Sequence, residues 1–194
     1  MTAVTLDLNP IVKLTDEQFY QLCQANPDLK LELTAKGELI LMPPTGGETG
    51  YRNSEIGFQL QAWSRQNNLG IAFDSSTCFK LPSGAELSPD ASWVRRSRWD
   101  ALSAEEKRKF PPLCPDFVVE LRSESDSLTK LRAKMQEYID NGASLGWLIN
   151  PKAQEIAIYR PGQEVEILHN PETVSGENLL PGFVLDVKPI FRSI

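Results

Sequence analysis

Residues 115–150 read PDFVVELRSESDSLTKLRAKMQEYIDNGASLGWLIN, and three elements follow one another within them. Phe117-Val118-Val119-Glu120-Leu121 is the most apolar strand-like run of the chain. From about Ser127 to Asn141 the residues Leu128, Leu131, Met135, Tyr138 and Ile139 recur at helical spacing, and Gly142 supplies a stop. Leu145 to Asn150 then reads as a second buried strand. Strand, helix and strand in succession make a crossover unit, which lays two parallel strands side by side. The spacing therefore predicts an α/β fold.

Upstream, segments 71–81 and 86–94 are expected as strands joined by the turn Pro82-Ser83-Gly84, followed by a short helix or ordered connection around Trp99 and Leu102. Ile56, Leu60 and Trp63 mark an amphipathic helix from about Thr49 to Asn67. Before it, Leu29, Leu31 and Leu33 face Leu39 to Met42 across Ala35-Lys36-Gly37 as a hairpin, and Thr15 caps a first short helix carrying Phe19, Leu22 and Cys23. Downstream, Glu155 to Tyr159 and Val165 to Leu168 alternate as antiparallel strands, with turns at Pro161-Gly162 and Pro181-Gly182. The expectation is a mixed β-sheet core flanked by helices, with additional antiparallel strands in the N- and C-terminal parts.

Composition sets the outer limits. The 194 residues are 41% hydrophobic and 24% charged, enough for one domain with a real core and too few for two comfortable ones. Twenty Lys plus Arg against 26 Asp plus Glu give a net charge of -6, so a polyanion must be met by a local patch. Cys23, Cys78 and Cys114 form no CxxC pair and His169 is the single histidine, which argues against structural zinc and a disulfide framework. The start MTAVTLDLNP lacks the layout of a signal peptide, and no run approaches the ~20 apolar residues of a membrane span, so the chain reads as soluble and cytoplasmic, with no membrane partner.

Glu120 interrupts an apolar strand, on the same side as Val118. A buried carboxylate without a partner costs several kcal/mol, so Glu120 calls for a cation, a donor or a metal. Asp90 follows Ser88-Pro89 inside the strand-like segment 86–94, where a proline marks an edge or bulge. If these strands pair, the two carboxylates converge on one divalent ion, and oxygen ligands of this kind suit magnesium or manganese. On a helical wheel Lys134 lies at the edge of the apolar stripe beside Leu131 and Tyr138, so it can bury its stem and extend its ammonium toward the carboxylates; Lys130 falls opposite and should be solvated.

The ordered series Ser88-Pro89-Asp90, Pro115-Asp116-Phe117-Val118-Val119-Glu120-Leu121, Lys134-Met135-Gln136-Glu137-Tyr138, Asn141-Gly142 and Trp147-Leu148-Ile149-Asn150-Pro151 resembles the Uma-two family of restriction endonucleases, within the PD-(D/E)XK nuclease superfamily. The resemblance runs from the first helix to about Tyr159. It implies a single restriction-endonuclease-like domain over residues 1–194, with its core at about 49–160. It also implies a magnesium-dependent endonuclease acting on nucleic acid, with DNA the favoured substrate. Asp90 and Glu120 would be the acidic ligands, joined by the carbonyl of Leu121. The superfamily pattern places a lysine two residues after the second acid, where this chain has Arg122; Arg is a poor base, and the lysine role passes to Lys134. Glu55 and Arg122 are candidate supporting residues.

Other readings stand beside this one. Glu120 could be neutralised by Arg122 in a structural pair, and Asp90 could simply open a turn. Arg95, Arg96 and Arg98, followed by Lys107, Arg108 and Lys109, could contact phosphates or form a solvated charged surface. A catalytically inactive nuclease-fold module for binding or assembly would explain Arg122 and the net acidity. A two-carboxylate glycosidase would need no metal. Cleavage of both strands of a duplex would be served by a two-fold homodimer.

Overall fold

The computed structural model describes residues 3–9 and 11–192. In chain order it begins with β1 (Val4–Asp7), α1 (Asp16–Ala25), β2 (Lys30–Leu33), β3 (Glu38–Met42) and the long helix α2 (Gly47–Asn67). There follow β4 (Gly70–Asp74), β5 (Phe79–Lys80), β6 (Glu86–Leu87), β7 (Ala91–Arg95), α3 (Arg96–Asp100) and α4 (Ala104–Arg108). The crossover unit is β8 (Phe117–Leu121), α5 (Leu128–Asp140) and β9 (Leu145–Asn150). The chain closes with β10 (Glu155–Tyr159), β11 (Glu166–His169), β12 (Thr173–Ser175), β13 (Val184–Asp186) and α6 (Lys188–Phe191).

The expected parallel pair is present: β8 and β9 run side by side with Phe117 opposite Leu145 and Leu121 opposite Ile149. They form the centre of a six-stranded mixed sheet ordered β11-β10-β9-β8-β7-β4, whose other pairings are antiparallel. Every residue of β8 and of β9 is buried, as a central strand covered on both faces requires. Along β8 the side chains alternate. Phe117, Val119 and Leu121 pack with Ile56, Leu60 and Trp63 of α2 and with Phe183, Leu185, Val187 and Ile190 near the C-terminus. Val118 points the other way, into a core with Met135, Tyr138 and Ile139 of α5 and with Phe79, Leu81 and Leu87. Glu120 shares that second face, as strand alternation demands.

A second sheet, ordered β1-β3-β2-β6-β5, is antiparallel throughout. Its hairpin β2–β3 is the expected one, and Gly37 occupies the left-handed region (φ 84°) that the tight turn requires. The first helix is capped as expected: the Thr15 side chain accepts from Gln18 N–H while the Gln18 side chain accepts from Thr15 N–H. Phe19 of that helix packs on Leu31, Leu33 and Leu39.

Two expectations are corrected. Segment 71–81 is not one strand: it divides into β4, in the six-stranded sheet, and β5, in the five-stranded sheet. Asp74 makes the break, because its Oδ1 accepts from both the backbone N–H and the hydroxyl of Ser76 and turns the chain. Segment 86–94 divides likewise into β6 and β7, each in a different sheet, and Ser88-Pro89-Asp90 lies in the crossing between them rather than inside a strand. Pro89 has no N–H to extend either ladder. The long helix begins at Gly47, close to the expected start at about Thr49.

Among the described residues no helix is long and apolar enough to cross a membrane.

Candidate active site

Where the chain crosses from one sheet to the other, three elements converge. Asp90 stands just before β7, and its Oδ2 accepts the backbone N–H of Leu121 at 2.8 Å. β7 pairs with β8 through Ala91 opposite Val119. Continuing that register sets Asp90 opposite Glu120 and Pro89 opposite Leu121. The N–H and C=O of one strand residue point the same way, so the Leu121 carbonyl also faces this side, where proline has no N–H to offer it.

Glu120 is 4% exposed. Its Oε1 accepts from Lys134 Nζ at 2.9 Å and from the Tyr138 hydroxyl at 3.1 Å. Lys134 and Tyr138 sit one helical turn apart on α5, on the face that packs against the sheet, so both reach one carboxylate oxygen. Lys134 Nζ is also 2.9 Å from Oε1 of Glu32, a β2 residue that is 2% exposed and accepts the Ser88 N–H at 2.9 Å. From the opposite face of the sheet, Asn53 of α2 donates to Asp90 Oδ1 at 3.3 Å.

Burial dominates the electrostatics. It pushes Glu120 up to about 7, against the pull of the Lys134 ammonium, while Asp90 and Glu32 push the same way as burial. Asp90 is raised for the same first reason, opposed by Lys30, by the Leu121 N–H, by Lys134 and by Asn53. Burial alone would lower Lys134, but Glu120 and Glu32 outweigh it and hold the ammonium above the ordinary lysine range. Such a lysine stays charged.

The donor set fits a hydrated hard cation. Among the described residues no three His, Cys, Asp or Glu side chains are grouped as a ready metal cage. Two carboxylates and one carbonyl are available, which matches magnesium, an ion that keeps several waters. Beside Asp90, the Asn53 Oδ1 is buried without a hydrogen-bond donor. A water on such an ion would supply one. The Lys134 ammonium contacts Glu120 and Glu32, while Asp90 has no cation in direct contact among the described residues and feels Lys30 and Lys134 only through space.

The sequence-derived candidates thus divide. Asp90, Glu120, Leu121 and Lys134 come together, and Lys130 is exposed as the wheel required. Arg122 turns away from Glu120; its guanidinium approaches Asn150 Oδ1 and the Asp126 carbonyl, each at 3.4 Å. Glu55 makes no hydrogen bond or ion pair with the cluster among the described residues, and Asn53 of the same helix contacts Asp90 instead. Arg95, Arg96 and Arg98 lie at the other end of β7, about 17 Å from Asp90 at the usual rise of a strand. Two of them serve the buried Asp116, which accepts from Arg95 Nε at 3.3 Å and pairs with Arg98 at 3.1 Å. Arg96 reaches Asn68 Oδ1 at 2.8 Å.

Three contributors escaped the sequence reading: Glu32, Asn53 and Tyr138. Asn53 carried a signal, because residues 53, 56, 60 and 63 share one helical spacing and Asn53 is the polar member of an apolar stripe. Tyr138 was taken into the apolar stripe of α5, where its ring belongs, and its hydroxyl is the polar handle. Glu32 between Leu31 and Leu33 has the pattern of any strand with one solvated face.

The profile of the Uma2 family, described as "Putative restriction endonuclease", matches residues 16–188. No curated protein matches the chain. Among solved structures, a "putative nuclease belonging to DUF820" from Anabaena variabilis is 23% identical, with 92% of this chain and 97% of that one covered at a TM-score of 0.76. A chain of the DrdV–DNA complex is 13% identical at a TM-score of 0.39, covering 62% of this chain and 10% of that one. The family match spans nearly the whole molecule, and the chain belongs to the Uma2 restriction endonuclease family.

Proposed function

We propose that this protein is a magnesium-dependent endonuclease that hydrolyses phosphodiester bonds in DNA. The observation that carries the reading is the meeting of Asp90, Glu120 and Lys134, from three separate elements, at one crossing between the sheets. Asp90, Glu120 and the Leu121 carbonyl would hold magnesium or manganese. When bound, the ion supplies charge neutralisation at a phosphate oxygen and a lowered pKa for water.

The chain's own groups do the rest. Tyr138 and Lys134 fix one oxygen of Glu120, which leaves its other oxygen for the cation. Asn53 and the Leu121 N–H orient Asp90. An ammonium between two carboxylates remains protonated, so Lys134 serves as a fixed positive charge beside the scissile phosphate rather than as a base. At the far end of β7, Arg96 contacts the flanking backbone of the duplex, with Arg95 and Arg98 adding positive potential while held by Asp116. A two-fold dimer would present two such sites to opposite strands.

The test is cleavage of a sequence-varied DNA pool with magnesium or manganese by the wild type, D90A and K134A. Metal-dependent cleavage by the wild type that both variants lose is the expected result. A wild type that binds DNA but never cuts it would favour the non-catalytic binding module.

A further inference from the structure

Glu32 lies on the five-stranded sheet, in a strand whose neighbours Leu31 and Leu33 face α1. Its side chain therefore points the other way, toward α5 and the sheet crossing. There a single oxygen, Oε1, accepts from two donors: Lys134 Nζ and Ser88 N–H, each at 2.9 Å. Ser88 is two residues before Asp90 in the crossing segment. Lys134 reaches the site on a flexible four-carbon stem that passes the Tyr138 ring, with Nζ 5.8 Å from its centroid. Glu120 already provides the ammonium with a counter-charge. A second buried carboxylate is not needed for neutrality, and burying it is costly. What it adds is a second fixed point, and one that is tied to the Asp90 segment.

We propose that Glu32 is a positioning residue: by gripping the Lys134 ammonium and the Ser88 N–H with one oxygen, it sets lysine and aspartate at a fixed separation across the two sheets. Its catalytic consequence rests on the nuclease reading above; its hold on Lys134 does not. The five-stranded sheet then belongs to the site, because movement of β2 would displace the lysine and the aspartate turn together.

Two measurements on the full chain test this. In a cycle of E32A, K134A and E32A/K134A, residues acting as one unit are strongly non-additive. E32A should lower kcat about a hundredfold with KM nearly unchanged, and the double variant should be slower than K134A by much less than that factor, the remainder reflecting the freed Ser88 N–H. E32Q keeps an acceptor oxygen for both donors and should fall only about tenfold. Multiplicative losses in the double variant would overturn the proposal. Independently of cleavage, acylation of lysines in the native protein is followed by mass spectrometry, with exposed Lys130 as the internal standard. Lys134 should react slowly in the wild type, about tenfold faster in E32A and faster by a smaller factor in E32Q, while Lys130 is unchanged. Equal Lys134 rates in wild type and both variants would overturn the proposal even if the wild type cleaves DNA. Should the wild type fail to cleave, the nuclease reading falls and the labelling still decides whether Glu32 holds the lysine.

Discussion

The Asp90 carboxylate takes the place of a ladder partner for Leu121, with Oδ2 accepting its N–H at 2.8 Å beyond the last β7–β8 pair. A single residue thus ends the pairing of two strands and presents an acid beside Glu120. The structural and chemical contributions separate by substitution. D90N keeps an oxygen for the Leu121 N–H, so its melting temperature should remain within a few degrees of wild type, whereas D90A leaves that donor unsatisfied and should lose about 1–3 kcal/mol. Both should lose about a thousandfold or more in magnesium-dependent cleavage. Retained activity in D90N would remove Asp90 from the metal site.

The crossover unit was legible because its periods are unambiguous: an apolar strand, a helical stripe and a second apolar strand, each bounded by polar or glycine residues. Glu120 was legible for the same reason, as a charge where the strand is otherwise apolar. What could not be read was the allocation of strands to sheets. β5 and β6 are two residues each, and nothing in their composition says that Asp74 and Pro89 divert the chain from one sheet to the other. Glu32 was hidden by that gap, since its partner is 102 positions away and belongs to a helix on a different layer. Arg122 shows the converse. Its neighbourhood to Glu120 in sequence suggested an ion pair, but β8 ends at Leu121, and beyond the strand the guanidinium goes to Asn150 Oδ1 and the Asp126 carbonyl.

Outside the site, Glu86 is 1% exposed, and its Oε1 has no hydrogen-bond partner. Its cross-strand neighbour Lys80 bridges Asp16 instead. Burial pushes Glu86 from 4.5 up to about 7, with Asp16 adding to the rise and Lys80 opposing it. Between those values the folded chain holds a proton that the unfolded chain has released, so this group makes stability fall as pH rises through the window and leaves it level above. E86Q should be more stable than wild type by about 1–2 kcal/mol at pH 8, with the gain vanishing toward pH 4. Urea unfolding at both pH values checks this, and equal stabilities at pH 8 would contradict it.

Magnesium should raise thermal stability through the same cluster that would use it. An ion at about 100 times its dissociation constant adds about 2.7 kcal/mol, a shift on the order of 5 to 10 °C for a chain of this size. Protons compete for Glu120, held up to about 7, and for Asp90, also raised. The shift should therefore be large at pH 8 and small at pH 5.5, because binding requires both carboxylates to be ionised. D90N should show little shift at either pH. A thermal melt that responds to magnesium equally in wild type and D90N would place the ion elsewhere.

The three arginines beyond β7 should separate by what each already holds. Asp116 is 4% exposed and depends on Arg95 and Arg98 for its counter-charge. R98A leaves that carboxylate less neutralised and should destabilise the fold by about 1–3 kcal/mol. Among the described residues the Arg96 guanidinium hydrogen-bonds the Asn68 side chain and pairs with no carboxylate, so R96A should leave stability within about 0.5 kcal/mol of wild type. If Arg96 meets a phosphate of the duplex, R96A should reduce the slope of log affinity against log salt by about one and weaken binding without regard to sequence. Binding titrations over a range of salt concentrations measure both quantities. An unchanged slope in R96A would confine the duplex to the Asp90 end of the sheet, about 17 Å away along β7.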